Sequence, residues 1–329
     1  MHALGFEARE ASPPNTQINP LGLRTLSSGM HTSIKSSAWI LALTLVLGSG
    51  CRPEEIHVGD NPVPAYSGVP TVIVDAYLTR VYIDLIGREP LPAEMEEDRN
   101  ALRAGDLGIE VRLELVDRLM GGDEAFVEAY DRKLFDDLSG RFLDGTSREY
   151  LLNEVDNQYA MAQQDSLAGG TAYLYFNLMA ERLERTVEAV EQLRGDDIGW
   201  REVNRRFCEN LVYDEINMNS FNFINATFDD LFGRQPTEAE FEQAYAAVEF
   251  GSPSLLFGQM IEDRSGFLEV LVADAEFEEG AVRWWAEKLL VRPISGAEMM
   301  AWRQEVGNEV DIRILQRLLI ASDEYADFQ

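Results

Sequence analysis

The chain is 329 residues long and carries 58 acidic against 28 basic side chains, a formal net charge of −30. So acidic a protein is repelled by nucleic acid and by anionic lipid, and no basic patch offsets this, which excludes nucleic-acid partners. Three histidines and two cysteines leave little material for imidazole catalysis or a zinc site.

Met30 opens the stretch MHTSIKSSAWILALTLVLGSGC, which has the three parts of a bacterial export signal. Lys35 is the basic start, Ala38 to Leu47 is an apolar run broken only by Thr44, and Gly48, Ser49 and Gly50 are the small residues at its end. The run falls short of the about 20 apolar residues that span a bilayer. A cysteine directly after small residues is where bacterial lipoprotein signals are cut and acylated, so Cys51 is the expected lipidation site. One departure is Gly48, where leucine is usual. Residues 1–29 contain Glu7 and Glu10 and do not resemble a signal. They read as an upstream extension ahead of a start at Met30, with residues 30–50 as the signal peptide.

Removing residues 1–50 takes away 2 acids and 3 bases, leaving 56 acidic and 25 basic residues, a net of −31. Lys133 and Lys288 are then the only lysines, Cys208 the only free thiol and His57 the only imidazole. An internal disulfide is excluded, and with no C-x-x-C-H so is covalent haem. Arg52 after the cysteine, in place of Asp, points to the outer membrane of a two-membrane bacterium. Residues 51–70 hold four prolines and read as an extended tether.

From residue 71 helical periodicity dominates. Val74, Tyr77, Leu78, Val81 and Leu85 form one face, stopped by Gly87, although Val72–Val74 leave a strand open there. Ile109, Leu113, Val116, Leu119 and Met120 form a second face; Phe126, Val127, Tyr130, Leu134 and Leu138 form a third. Residues 147–222 read as an insertion of long helices, with Tyr175, Phe176, Met179, Leu183, Val187, Val190 and Leu193 in one stripe.

The phrase DLIGREPLPAE, Asp84 to Glu94, returns as DLFGRQPTEAE, Asp230 to Glu240, with seven of eleven positions identical. A degraded third copy runs from Arg292 to Glu298. Each is a helix–helix corner. Gly87 and Gly233 end one helix, and Pro92, Thr237 and Ser295 start the next, with Glu94, Glu240 and Glu298 in the capping-box position. Arg88, Arg234 and Arg292 each stand six residues before that glutamate, and pairing across the corner is expected to contribute well under ~1 kcal/mol if exposed. In each copy a second helix should come next, ending at Met120, Ile261 and Ile320, and then GDEAF, SGFLEV or SDEYADF. The expected fold is all-α: a multi-helix bundle over residues 71–329, built from three degenerate helix–corner–helix repeats (77–126, 225–270 and 285–328) with an inserted pair of long helices.

This unit, L-x-G-R-x-P with paired helices after it and an (S/D)-x-E-(Y/F) ending, resembles two groups. One is the helical domain of unknown function in planctomycete proteins that often also bear a cytochrome c domain. The other is the bacterial repeat related to phycobilisome linkers. The resemblance implies an exported all-helical module used in envelope assemblies, and it brings no catalytic residues.

Reactive groups are scarce elsewhere. Asp136, Asp137, Asp144 and Gly145 could hold Ca²⁺, but the D-x-[DN]-x-[DN]-G loop is missing and a helix end is expected instead. Glutamates 181, 184, 188 and 191 lack the histidines of a two-metal bundle. Cys208 reads as a buried inert thiol, and Trp284, Trp285 and Trp302 as core or interface anchors. The oddest stretch is NMNSFNFINATF. Its Asn217, Asn219 and Asn222, beside Phe221 and Phe223, either satisfy broken helix ends or line a recognition groove. The expectation is a non-catalytic envelope protein, held to the membrane by its lipid, that binds another protein. The alternative is an accessory subunit of a redox or cell-surface enzyme complex. No cofactor is expected.

Overall fold

In the computed structural model, residues 68–307 and 311–328 are described; Cys51, the signal-like stretch and most of the tether lie outside them. The described residues form 16 helices and one two-stranded hairpin, an all-α bundle. None of these helices is long and apolar enough to cross a membrane.

The first four helices are α1 (Thr71–Ile86), α2 (Pro92–Ala104), α3 (Ile109–Gly121) and α4 (Glu124–Phe142). Val72–Val74 are helical, not a strand. α1 ends where Gly87 turns left-handed (φ 71°) and donates its N–H to Ile83. Leu91 precedes Pro92, and the Glu94 carboxylate takes the Leu91 N–H at 2.6 Å. α4 starts on Asp123, whose carboxylate accepts the Phe126 N–H. α4 then packs against both α1 and α3.

The second group repeats this arrangement. α10 (Ser220–Phe232) ends at left-handed Gly233 (φ 70°), and α11 (Glu238–Phe250) begins with a full Thr237–Glu240 capping box. After α11 the chain departs from expectation. Residues up to Ile261 are not a second helix but a hairpin, β1 (Ser254–Leu256) and β2 (Gln259–Ile261), with Leu255 opposite Met260. Phe257 and Gly258 both take positive φ and close a two-residue turn. The second helix is α12 (Arg264–Ala273). The counterpart of the GDEAF ending is therefore not SGFLEV, which lies inside α12. It is Asp274–Phe277, where Asp274 caps α13 (Ala275–Leu290).

α13 also serves as the first helix of the third group. It leads through a corner into α14 (Gly296–Val306), α15 (Ile312–Ile320) and the short α16 (Asp323–Ala326), capped by Ser322. No glycine ends α13; Val291 itself takes the left-handed conformation there, φ 56°.

Between the first and second groups come α5 (Arg148–Leu167), α6 (Tyr173–Val187), α7 (Ala189–Arg194), α8 (Trp200–Cys208) and α9 (Leu211–Asn217). The apolar stripe expected to run unbroken from Tyr175 to Leu193 is interrupted at Glu188, where α6 gives way to α7. Its first member, Tyr175, is exposed. α5 and α6 form a long antiparallel hairpin.

One continuous core joins the groups. Trp200 of α8 and Trp285 of α13 lie fully buried with ring centres 6.2 Å apart. The C-terminal turn closes on the first group: Tyr325 donates its hydroxyl hydrogen to Asp84 at 2.7 Å, and Tyr77 packs on Tyr325 and Phe328. Buried Arg112 reaches Asp323 at 2.5 Å.

Candidate recognition surface

The three corners share one geometry. Arg88 makes two parallel hydrogen bonds to Glu94, both 2.7 Å. Arg234 does the same to Glu240 at 2.9 Å. Arg292 binds Glu298 at 2.6 and 3.4 Å. In the last two the arginine also holds a second carboxylate, Glu276 at the start of α13 or Glu324 at the start of α16. The first copy has Ala125 at that position, so Arg88 holds one carboxylate only. Two of the glutamates are well shielded, Glu94 and Glu240 with side chains 19% and 16% exposed, while the Glu298 side chain is 37% exposed. The Arg88–Glu94 and Arg234–Glu240 pairs are therefore stronger than freely exposed ones. Arg234 holds the Glu240 carboxyl down at about 2. The corner side chains hold one another and cap the helix starts, which is a scaffold role.

The asparagine-rich stretch divides. Asn217 ends α9 and donates its side-chain amide to the Tyr213 carbonyl at 2.9 Å. Asn219 caps α10 by accepting the Asn222 N–H at 2.9 Å. Between them Met218 takes φ +40°, an unfavourable conformation for a side-chain-bearing residue. Phe223 is core, edge-on to Tyr213, with the Arg264 guanidinium 4.4 Å from its ring centre. Asn217, Asn219 and Phe223 are thus structural, and Asn222 is tied in through its backbone. Left outside are Met218 and Phe221, 80% and 58% exposed.

Phe221 begins a ladder of rings that runs onto α11. It meets Phe241 at 5.1 Å, Phe241 stacks on Tyr245 at 5.6 Å, and Tyr245 meets exposed Phe250 edge-on at 5.6 Å. Beyond Phe250, Leu255 and Met260 pair across the hairpin and both face solvent. α11 faces the core with alanines, Ala244 and Ala247, so its large rings lie along the flank. That spacing is the signal that could have been read: small residues inward, Phe241, Tyr245 and Phe250 beside them. Offset and edge-on rings gain ~0.5–1.5 kcal/mol per pair and hold one another rigid. Glu238, Glu242 and Glu249 lie on the same helix. The arrangement suits an apolar anchor accompanied by basic groups.

A cleft of about 590 Å³ lies between α4, the start of α5 and the α6–α7 junction. Glu128, Asp131, Asp136 and Glu191 line it together with Arg132 and Arg194. Burial pushes the Asp131 and Asp136 carboxyls up, while Arg194 binds Asp131 at 2.7 Å. Its walls are thus partly neutralised from within.

The reactive groups weighed from sequence are otherwise engaged. Lys133 and Lys288 both bind Asp137, so this carboxylate is held by ammonium groups rather than open to Ca²⁺. Cys208 is buried, and burial pushes its thiol well up. Arg141 donates to the Asp230 carbonyl and lies against Trp284, 4.7 Å from the ring centre. Among the described residues no three His, Cys, Asp or Glu side chains gather as a metal would need. Comparison with protein-family models, curated proteins and solved structures finds no match to this chain.

Proposed function

We propose that this chain is an exported, lipid-anchored envelope protein that works by binding another protein. The observation that carries this is the ring ladder from Phe221 to Phe250, whose exposed end rings are joined through half-buried Phe241 and Tyr245 and flanked by exposed Met218 and the Leu255–Met260 pair. Rigid aromatic groups of this kind dominate protein-binding energetics where they find a pocket or an apolar anchor. The partner it suits presents an apolar or aromatic anchor beside Lys or Arg. Export and attachment rest on the signal-like stretch ending at Cys51, with lipid on that cysteine.

The test is affinity capture of the full chain from native envelopes with mass spectrometry, run beside a Phe221→Ser/Phe250→Ser variant. A partner held by the parent and reduced at least about 10-fold by the variant, with unchanged circular dichroism, supports the reading. A partner retained equally by both would move recognition to another face. A mature peptide beginning at Cys51 without acyl mass would remove the anchor.

A further inference from the structure

The α5–α6 hairpin is an arm. α5 buries one stripe, Leu151, Val155, Gln158 and Ala162, and packs chiefly along α6. Its 20 residues make it about 30 Å long. The outer part, residues 157–180, is 24 residues with a single charged side chain, Asp165, in a chain that is 26% charged. Asp165 is used internally: its carboxylate accepts the Tyr173 N–H at 2.9 Å and ties the turn. Solvent instead meets Leu167 (84% exposed), Leu174 (63%), Tyr175 (53%), Leu178 and Met161, together with the exposed amides of Gln163 and Gln164.

We propose that the charge-free end of this arm is where two copies of the chain meet, arm to arm about a two-fold axis. Such an axis brings the residues nearest it against their own copies and makes every other contact twice. Charges placed there would face their likes, whereas leucines pack on leucines and amides both donate and accept. A charged partner would require counter-charges, and this surface offers only the half-buried Asp165, already tied to the Tyr173 N–H. The exposed apolar residues offer on the order of 600 Å² per copy, near the roughly 800 Å² per partner of a standard interface. The first half of α5 joins the core through Leu151 and Val155, so about 16 Å of the arm projects from each body. Two such arms tip to tip hold two strongly acidic bodies further apart than the ~8–10 Å over which salt screens them. The binding ladder lies on other helices and takes no part.

Sedimentation velocity of the full chain in mild detergent, from about 1 to 100 µM, reads the outcome. The parent is expected to dimerise, and Leu174→Glu/Leu178→Glu to weaken association at least 10-fold with unchanged helicity. Leu167→Ser, at the most exposed position of the arm, leaves the fold intact and is expected to weaken it in the same direction. Phe221→Ser/Phe250→Ser should dimerise like the parent. A parent that stays monomeric at every concentration overturns the proposal, as does a dimer that survives the arm variants. A monomeric parent whose non-acylated Cys51→Ser form still floats with neutral phosphatidylcholine vesicles, and whose Leu174→Glu/Leu178→Glu form does not, overturns it too and places the tip at lipid.

Discussion

The backbone of Gly280 on α13 lies directly against the Leu231 carbonyl on α10, so that a methyl group at Gly280 would overlap that oxygen. No side chain separates the two helices at this crossing. Gly280→Ala gains up to ~1 kcal/mol of helix propensity, but it must push the helices apart, and overpacking costs ~1–3 kcal/mol or more. The expected net loss is about 2 kcal/mol by chemical denaturation. A variant as stable as the parent would show that the crossing slides freely.

Val291 offers the opposite experiment. It is 79% exposed and left-handed, where Gly87 and Gly233 occupy the equivalent turns. A β-branched residue pays about 1–2 kcal/mol in that conformation, and little packing is lost by removing it. Val291→Gly is expected to stabilise by about 1 kcal/mol, less the added freedom of the unfolded chain. An unchanged or lower denaturation midpoint would count against the left-handed geometry.

The corners rank by how many carboxylates their arginines hold. Arg88→Ala frees Glu94 alone and is expected to cost up to ~1 kcal/mol, while Arg234→Ala frees Glu240 and Glu276 and should cost ~1–2 kcal/mol. Introducing Ala125→Glu beside Arg88 should narrow the gap between the two corners. Equal losses for Arg88→Ala and Arg234→Ala would mean that the second carboxylate contributes nothing.

Two opposed kinds of group set the stability against pH. Burial pushes the Asp230 carboxyl up to about 6 from 3.8, while Tyr213 donates to it at 2.8 Å. Between those values the folded chain holds more protons than the unfolded one, so stability rises as pH falls from 6 towards 4. Glu240 and Glu298 are held at about 2 by their arginines, against 4.5 unperturbed, so their contribution is complete above 4.5 and is lost towards 2. Melting temperature should therefore peak between about pH 4.5 and 6. Thermal melts from pH 3 to 8 check this, and Asp230→Asn should flatten the slope between 4 and 6 while leaving the acid limb. A melting temperature that climbs steadily from pH 6 to 8 would contradict the assignment.

Sequence reading went furthest where a few neighbouring residues determine the outcome. A glycine that must turn left-handed and a Thr or Ser three places before Glu are local statements, and Gly87, Gly233, Thr237 and Ser295 make them plainly. The hairpin at 254–261 was illegible because three-residue strands give no period to count, and Pro253 is as acceptable at the start of a helix as before a strand; only Gly258 within the stretch spoke against a helix. The arrangement around Phe221 was half visible. Asparagines interleaved with aromatics marked the place, but their roles as caps and the ring neighbours on α11 depend on how two helices cross. The single carboxylate of Asp137 gathering both lysines, from α4 and α13, depends on long-range packing that periodicity does not encode.

Because α13 closes the second group and opens the third, those two groups overlap by a whole helix rather than standing in tandem. Neither can be cut out with its own complement of helices, and a break anywhere in 275–290 strips both at once. Growth of such a chain by simple duplication would have to graft each new unit onto the last helix of the one before. Its C-terminal half should accordingly melt as one cooperative block, with protection of α10 to α12 and of α14 to α15 against hydrogen exchange vanishing together.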